Sequence, residues 1–205
     1  MKVLLINSSP QQRESSTYRL AQEMLNQLSA NAGMNMVDVS LEEVDATMLP
    51  HIDSAYAAAL CSPHIEHDEG VGSLAISNRL IESLESADVV MITSPMHNYS
   101  LPSGLKSWVD HVVRAGKTFA ITTEGKQALL TDKPVYILVS AGGIFSGKEA
   151  YQPDFFTPYL KEVLSTIGLT SLQFITIEGT AGEHDVVQKK IDNIQRQMSD
   201  YLLTL

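Results

Sequence analysis

The stretch SAGGIFSGKE, residues 140–149, has the spacing of a phosphate-binding loop. Gly142 and the pair Gly147-Lys148 fit the pattern G-x-x-x-x-G-K, in which backbone N–H groups surround a phosphate and the lysine reaches its outer oxygens. The preceding segment, Lys133 to Val139, is apolar and has the length of a buried strand, which is where such a loop occurs. These residues raise the question of a nucleoside triphosphate site.

Two features argue against a triphosphate. Glu149 stands where a hydroxyl residue would bind Mg²⁺. A loop of this kind also opens a helix, whereas Pro153 breaks the helical pattern shortly afterwards. We therefore interpret Gly142 and Gly143 as backbone that can approach a planar ligand closely, and the Gly-Lys pair as coincidental.

A second candidate is the turn at residues 8–17, SSPQQRESST. It lacks the glycines of a dinucleotide or triphosphate loop. The hydroxyls of Ser9, Ser15, Ser16 and Thr17 lie near the backbone N–H groups of a predicted helix start, and such a start can hold a phosphate without a metal. Capping of the helix by Ser15 is the alternative interpretation, and the turn alone does not decide between them.

The third candidate is the turn Pro95-Met96-His97-Asn98-Tyr99. Its main chain could lie along a flat ring, and an ordinary strand-to-helix connection is the alternative.

Three other groups are not assigned a function. His64-Ile-Glu-His67 resembles a metal cluster, but we interpret it as a solvated acidic loop without a third ligand at a recognised spacing, and no metal site is predicted. Cys61 has no identifiable His and carboxylate partners, so a buried or inert thiol is predicted. Ser140 is not in a G-x-S-x-G turn, which argues against an α/β-hydrolase.

The order of elements explains why the three turns belong together. Apolar runs and helical spacing predict strands at 3–7, 34–41, 88–94, 134–139 and 172–177, and helices from about Ser15, at 54–60, 74–84, 102–113, 153–167 and 183–203. Thr123-Glu-Gly125 predicts a turn, and with it a small hairpin or another excursion of the chain.

This alternation predicts an α/β protein with a five-stranded parallel sheet and helices on both faces. Right-handed crossovers make it doubly wound, and five strands favour the flavodoxin-like order 2-1-3-4-5. Ligands bind at the carboxyl ends of such strands, where the winding reverses. The rule selects the turns after the first, third and fourth strands: Ser8–Thr17, Pro95–Tyr99 and Ser140–Gly143.

Composition narrows the class of protein. The 205 residues favour one domain, residues 1–205, with a full core. The net charge of −10 and only 14 Lys and Arg argue against a nucleic-acid partner. No segment approaches the roughly 20 apolar residues of a membrane span, and a single cysteine allows no internal disulfide. A soluble cytoplasmic protein is expected.

Several motifs together resemble one family. The densest is PMHNYSLPSGLKSWVDHVVRAGKTF, residues 95–119, which is similar to P-M-Y-N-F…P-x-x-L-K-x-W/Y-x-D…R-x-G-x-T-F. SAGG, TPYL followed by IGL, and IEGTA add further matches, so the likeness runs nearly end to end. The chain resembles the flavodoxin-like FMN-dependent NADH-azoreductases, which are also NADH:quinone oxidoreductases.

The resemblance implies tightly but non-covalently bound FMN, NADH as electron donor, and two-electron ping-pong hydride transfer to quinones or aromatic azo compounds. The flavin carries the chemistry, so no catalytic side chain is expected. A homodimer is implied, with the pocket between subunits. The implied cofactor contacts are a phosphate group of Ser9, Ser15, Ser16 and Thr17, a ring group of Pro95, Met96, His97, Asn98 and Tyr99, and a polar-edge group of Ser140, Ala141, Gly142 and Gly143.

Two residues depart from the family pattern. His97 stands where an aromatic residue is usual, and Ile121 where some members have Tyr. Both are expected to line the substrate pocket and to affect the choice of acceptor. A flavodoxin-type electron carrier, a general NAD(P)H:FMN reductase and a ligand-free α/β protein are the alternatives. The T-x-T-G-x-T loop of carriers is absent, and they lack the long 42–73 segment.

Overall fold

The computed structural model describes residues 1–34, 38–61 and 69–202. Its strands are β1 (Lys2–Asn7), β2 (Ser40–Asp45), β3 (Val89–Pro95), β4 (Phe119–Thr122), β5 (Gly125–Ala128), β6 (Val135–Ala141) and β7 (Leu172–Glu178). Its α-helices are α1 (Ser16–Met34), α2 (Ser54–Cys61), α3 (Gly72–Ser86), α4 (Ser103–Val112), α5 (Thr157–Ile167) and α6 (His184–Leu202).

The main sheet is parallel and has the strand order β2-β1-β3-β6-β7. Apart from the hairpin strands, this is the predicted order 2-1-3-4-5. Because β1, β3 and β6 are neighbours with the same direction, their carboxyl ends lie side by side. The three turns selected from the sequence follow these ends.

Alternate residues of the central strands pack into two apolar clusters. Val3 and Leu5 belong to one cluster with Met24 of α1, and Ile191 of α6 packs against it. Leu4 and Ile6 belong to the other cluster with Trp108 of α4, together with residues of α3 and α5. Strands that are buried on both sides read as continuous apolar runs, which is why β1, β3 and β6 were recognisable.

Two predicted elements were misplaced. The second strand was predicted at 34–41, but α1 continues to Met34, residues 35–37 lie outside the described part, and β2 covers Ser40–Asp45. β2 is an edge strand paired on one side with β1, so it carries acidic residues that are exposed or half-buried in place of an apolar run. The fifth long helix begins at Thr157, not Pro153, because Asp154 accepts hydrogen bonds from the N–H groups of Phe156 (2.9 Å) and Thr157 (2.8 Å).

The predicted hairpin is present. β4 and β5 form a separate two-stranded antiparallel sheet with Thr122 opposite Gly125 at its turn. Ile121 is 77% exposed on it. Among the described helices, none has the length and apolar composition to cross a membrane.

The amino-terminal edge of the sheet is held by Asp132. Its carboxylate accepts hydrogen bonds from the N–H and hydroxyl groups of both Thr170 (2.8 and 2.6 Å) and Ser171 (3.1 and 2.8 Å). Desolvation favours the neutral acid, but these bonds outweigh it and hold the pKa of Asp132 well below its usual range. This cluster lies at the edge of the sheet opposite the three turns.

Candidate functional site

The three turns line a single cavity of about 890 Å³. Since β1, β3 and β6 end at one edge of the sheet, the turns that follow converge there. Eight of the predicted site residues lie in the cavity wall: Ser9, Ser15, Ser16, Pro95, Met96, His97, Ser140 and Gly142. Thr17, Asn98, Tyr99, Ala141, Gly143 and Ile121 are not among the lining residues.

The first turn has the features of an anion site. Ser15 precedes α1, and its Oγ accepts a hydrogen bond from the N–H of Tyr18 (3.2 Å), so the capping interpretation holds for this hydroxyl. The N–H groups of Ser16 and Thr17 form no hydrogen bond within the described part of the chain. Ser16 lines the cavity, whereas the side chain of Thr17 is fully buried. The helix start thus offers two N–H donors and the Ser16 hydroxyl.

Arg19 adds a positive charge one turn further along α1. It lines the same cavity and forms an ion pair with the exposed Glu14. Arg19 was not among the predicted site residues, although its spacing of three residues from Ser16 places both on one helix face. Hydroxyls, helix N–H groups and a guanidinium are a donor set that suits a phosphate.

α1 is anchored beside this turn by Tyr18. Its hydroxyl donates to Glu43 Oε2 on β2 (3.1 Å). Burial, together with this bond to a carboxylate, raises the pKa of Tyr18. The phenol therefore remains a hydrogen-bond donor at neutral pH and ties the first turn of α1 to the sheet edge.

The second turn is a tight hairpin fixed by its backbone. His97 and Ser100 exchange two N–H···O bonds, both of 3.0 Å. Asn98 (φ 49°) and Tyr99 (φ 69°) both adopt the left-handed conformation, as in a type I′ turn. The Met96 N–H donates to the Ser140 carbonyl (2.7 Å), which joins this turn to the next one. Met96 and His97 are thereby held at the cavity.

The third turn is fixed by β7 and its continuation. The N–H groups of Gly179 and Thr180 donate to the carbonyls of Gly143 (3.1 Å) and Ala141 (3.0 Å). A Cβ on Gly143 would lie 2.1 Å from Gln152 Oε1, the end of a flexible side chain, so a larger residue at this position needs the Gln152 side chain to move. A Cβ on Gly142 would make an ordinary 3.6 Å contact with Ala181. Close approach of Gly143 to a planar ligand stays a prediction.

The buried Glu178 holds the segment after this turn. Its Oε2 accepts hydrogen bonds from the N–H groups of Phe145 (2.8 Å) and Ser146 (3.2 Å). No helix opens at Gly147-Lys148, since the next helix is α5 at Thr157. The Gly-Lys pair therefore lacks the helix start that a triphosphate loop requires.

One wall of the cavity was missed by the sequence analysis. It comes from α6 and the turn before it: Thr180, His184, Val187, Gln188, Ile191 and Gln195, with Pro10, Gln11 and Leu20 from the first turn and α1. The α6 positions recur every three or four residues, which is the spacing of one helix face. That spacing was visible, but only the sheet order places the face beside α1.

Several predicted residues lie away from the cavity or outside the described chain. Ile121 is on the exposed hairpin, while Asn98 and Tyr99 are the exposed tip of the second turn. His64 and His67 lie outside the described residues, and Cys61 is exposed and not buried. Among the described residues, no group of three or more His, Cys, Asp or Glu side chains could hold a metal ion.

Comparison with known proteins gives close relatives over the full length. A family model described as flavodoxin-like fold matches residues 1–202. The FMN-dependent NADH:quinone oxidoreductase 5 of Burkholderia lata is 41% identical over 202 residues, which cover 98% of this chain and 94% of that protein. The FMN-dependent NADH:quinone oxidoreductase 4 of Pseudomonas fluorescens is 39% identical over 96% of this chain and 93% of its own.

Solved structures share the fold at lower identity. An azoreductase from Bacillus anthracis superposes with a TM-score of 0.84 at 21% identity and full coverage of both chains. An FMN-dependent NADH-azoreductase from Bacillus anthracis in complex with FMN gives 0.78 at 22% identity, with 98% of this chain and 99% of that chain covered.

Proposed function

Since the chain belongs to the flavodoxin-like family of FMN-dependent NADH:quinone oxidoreductases, we propose that its 890 Å³ cavity is the site where FMN, NADH and a quinone meet. The protein is an FMN-dependent oxidoreductase that uses NADH as electron donor. The observation that carries the site assignment is the convergence of the three turns on one cavity, with anion donors at one end.

The residues of the cavity fit FMN. Ser9, Ser16 and the unpaired N–H groups at the start of α1 would hold the phosphate, and Arg19 would add charge. Met96 and His97, on a turn fixed by backbone bonds, would support the isoalloxazine ring. Ser140 and Gly142 would meet its polar edge. Bound FMN supplies two-electron chemistry between NADH and the acceptor.

The protein's own part is to bind and to orient. The titratable side chains in the cavity wall are Arg19, His97 and His184, and all three are exposed. We therefore propose that no side chain of the protein acts as an essential general acid or base. Turnover is proposed to be ping-pong, with donor and acceptor occupying the same space in succession. Reduction of aromatic azo compounds is proposed as well, because structural neighbours bear that name.

The remaining features of the proposal concern the whole chain. Helices α1 and α6 pack in one cluster and α3 to α5 in the other, which supports a doubly wound single domain over 1–205. Exposed apolar residues on the hairpin and the 42–73 segment, such as Ile121 and Met48, support a homodimer. A cytoplasmic location, without nucleic-acid or membrane partners, is part of the proposal because NADH is available there.

The test is the visible absorbance of the purified chain. We expect a yellow protein whose flavin band is bleached rapidly by NADH without oxygen and restored by a quinone. A colourless chain that does not bind added FMN would refute the proposal. A flavin band that persists after NADH is added would instead support the electron carrier.

A further inference from the structure

Gln12 has an unusual backbone conformation. Its φ is 53°, in the left-handed region, where a side chain is disfavoured and glycine is common. It lies in the turn of Ser9 to Ser16, which carries the anion donors of the cavity. Strained residues persist only where the surrounding structure enforces them, and they concentrate at functional sites.

The Gln12 side chain is bound at all of its polar positions. Nε2 donates to Asp45 Oδ2 (3.1 Å) and to Thr47 Oγ1 (2.8 Å), and Oε1 accepts from Asn7 Nδ2 (3.4 Å). Asp45 ends β2 and Thr47 follows it, and Asn7 ends β1. The carboxamide therefore ties the turn to the carboxyl ends of two neighbouring strands.

The partners of Gln12 are fixed themselves. Fully buried Asn7 accepts, at Oδ1, hydrogen bonds from Thr93 Oγ1 (3.0 Å) and from the N–H of Ser9 (3.2 Å). Asp45 Oδ1 accepts from the N–H (3.0 Å) and the hydroxyl (2.6 Å) of Thr47. The hydrogen bonds from the Gln12 side chain to Asn7, Asp45 and Thr47, called the brace below, thus form a network between rigid strand ends.

The backbone of Gln12 closes the turn. Its N–H donates to the Ser9 carbonyl (2.9 Å), and its carbonyl accepts from the Ser15 N–H (3.2 Å). Ser9 and Ser15 both line the cavity, whereas Gln12 does not. A change at Gln12 would reach the ligand only through the residues that it holds.

We propose that Gln12 is a positioning residue that holds the Ser9–Ser16 turn in its phosphate-binding shape through the brace to Asn7, Asp45 and Thr47. This rests on the proposed function, in which that turn binds the FMN phosphate. Gln12 brings the turn to its conformation at the cost of backbone strain, which the side-chain bonds offset.

The test compares the dissociation constants of FMN and riboflavin, measured by flavin fluorescence on the flavin-stripped chain. Riboflavin lacks the phosphate. Gln12→Ala keeps the strain without the brace, and Gln12→Gly removes both. We expect each to weaken FMN about tenfold, because loss of the brace removes hydrogen bonds that order the turn, and to change riboflavin by less than about twofold.

Two further variants separate the brace from general effects. Arg13→Gly adds backbone freedom in the same turn at an exposed residue outside the cavity wall, and should weaken FMN less than about threefold at physiological salt. Thr47→Val removes one acceptor of the brace. The variant Gln12→Ala/Thr47→Val should bind FMN about as well as Gln12→Ala alone, since the two act through one network.

The outcomes are distinct. Unchanged FMN affinity in Gln12→Gly, equal losses for FMN and riboflavin, or additive effects of Gln12 and Thr47 would each overturn the inference. If Gln12→Ala fails to fold, Thr47→Val alone still decides, because it should weaken FMN selectively. A wild-type chain that binds no FMN refutes the proposed function, and the inference with it.

Discussion

Ser16 and Thr17 are adjacent hydroxyl residues with different environments. Ser16 lines the cavity, whereas Thr17 is fully buried with its Oγ1 3.4 Å from Ser15 Oγ. A hydrogen bond to a charged group contributes about 1.5–3 kcal/mol. We expect Ser16→Ala to weaken FMN about tenfold and to leave riboflavin nearly unchanged.

Thr17→Ala is the matched control for Ser16. It should lower the free energy of unfolding by about 1 kcal/mol through loss of a buried contact, with a smaller effect on FMN. Titration of both flavins and chemical denaturation measure the two effects. If Ser16→Ala weakens both flavins equally, its hydroxyl does not bind phosphate.

Gly142 and Gly143 are also adjacent and also differ. The methyl of Gly143→Ala would collide with the Gln152 side chain and lie near Tyr151, so these side chains must move. The methyl of Gly142→Ala meets Ala181 at an ordinary distance. We expect Gly143→Ala to raise the FMN dissociation constant more than Gly142→Ala does. The reverse order would show that contact with the flavin ring, and not with residues 151–152, limits the size of the side chain in this turn.

His97 lines the cavity from a turn whose shape depends on backbone bonds and not on its side chain. His97→Tyr should therefore leave FMN affinity within about twofold of wild type. It should change the ratio of the turnover rate with compact quinones to the turnover rate with large azo dyes. Stopped-flow measurement of flavin reduction by NADH is the control. Equal slowing of both half-reactions would place His97 in the geometry shared by donor and acceptor.

The fold and the cavity could be predicted from the sequence where the type of a residue alone indicates whether it is buried or lies in a turn. The apolar runs of the central strands and the hydroxyls after β1 identified three turns and eight cavity residues. The role of a residue could not be predicted where it depends on contacts with other parts of the fold. Gln12 is bound by Asp45 and Thr47, more than 30 residues away at the end of β2, and only the folded chain brings these groups together.

At the scale of elements, the errors lie at positions governed by pairing. β2 is defined by its register with β1, Lys2 opposite Ser40, and not by its own hydrophobicity. The alternation of apolar residues at 34–41 is typical of a strand, but it begins at the last residue of a long helix. The α6 wall shows the same limit, because helical spacing gives a face but not the cavity that the face lines.

Asp132 allows a test of the hydrogen bonds at the amino-terminal edge of the sheet, away from the cavity. Its folded pKa is depressed, so its carboxylate stabilises the fold above its unfolded pKa of about 3.9, and this stability is lost as pH falls toward the folded value. Asp132→Asn should lower the free energy of unfolding by about 1 kcal/mol at neutral pH, since the group is exposed. The difference from wild type should shrink as pH falls below about 4.

Urea denaturation at several pH values measures this difference. Glu124→Gln, in the exposed hairpin turn, is the control and should follow wild type throughout. FMN affinity should be unchanged in Asp132→Asn, because the Thr170 and Ser171 cluster lies at the other edge of the sheet. A constant destabilisation at all pH values would show that the charge of Asp132 does not contribute.

At the scale of the molecule, the β4–β5 hairpin stands apart from the main sheet. Two-stranded hairpins are marginal in water unless something packs on them. Phe119 at its base is buried in the core, but Ile121 is 77% exposed and all of β5 is exposed. The hairpin therefore gains most if a second copy of the chain covers it, as the proposed homodimer requires.

Ile121 is the residue that tests this arrangement. We expect sedimentation to give twice the 22.4 kDa mass of the chain, and Ile121→Glu to favour the monomer because a charge would be buried at the interface. Thr123→Glu adds the same charge at the exposed hairpin turn and should leave the dimer intact. If Ile121→Glu dissociates the dimer and also slows acceptor turnover, the hairpin completes the pocket of its partner. A wild-type chain that is monomeric at every concentration and still turns over would show that the cavity of one chain is sufficient.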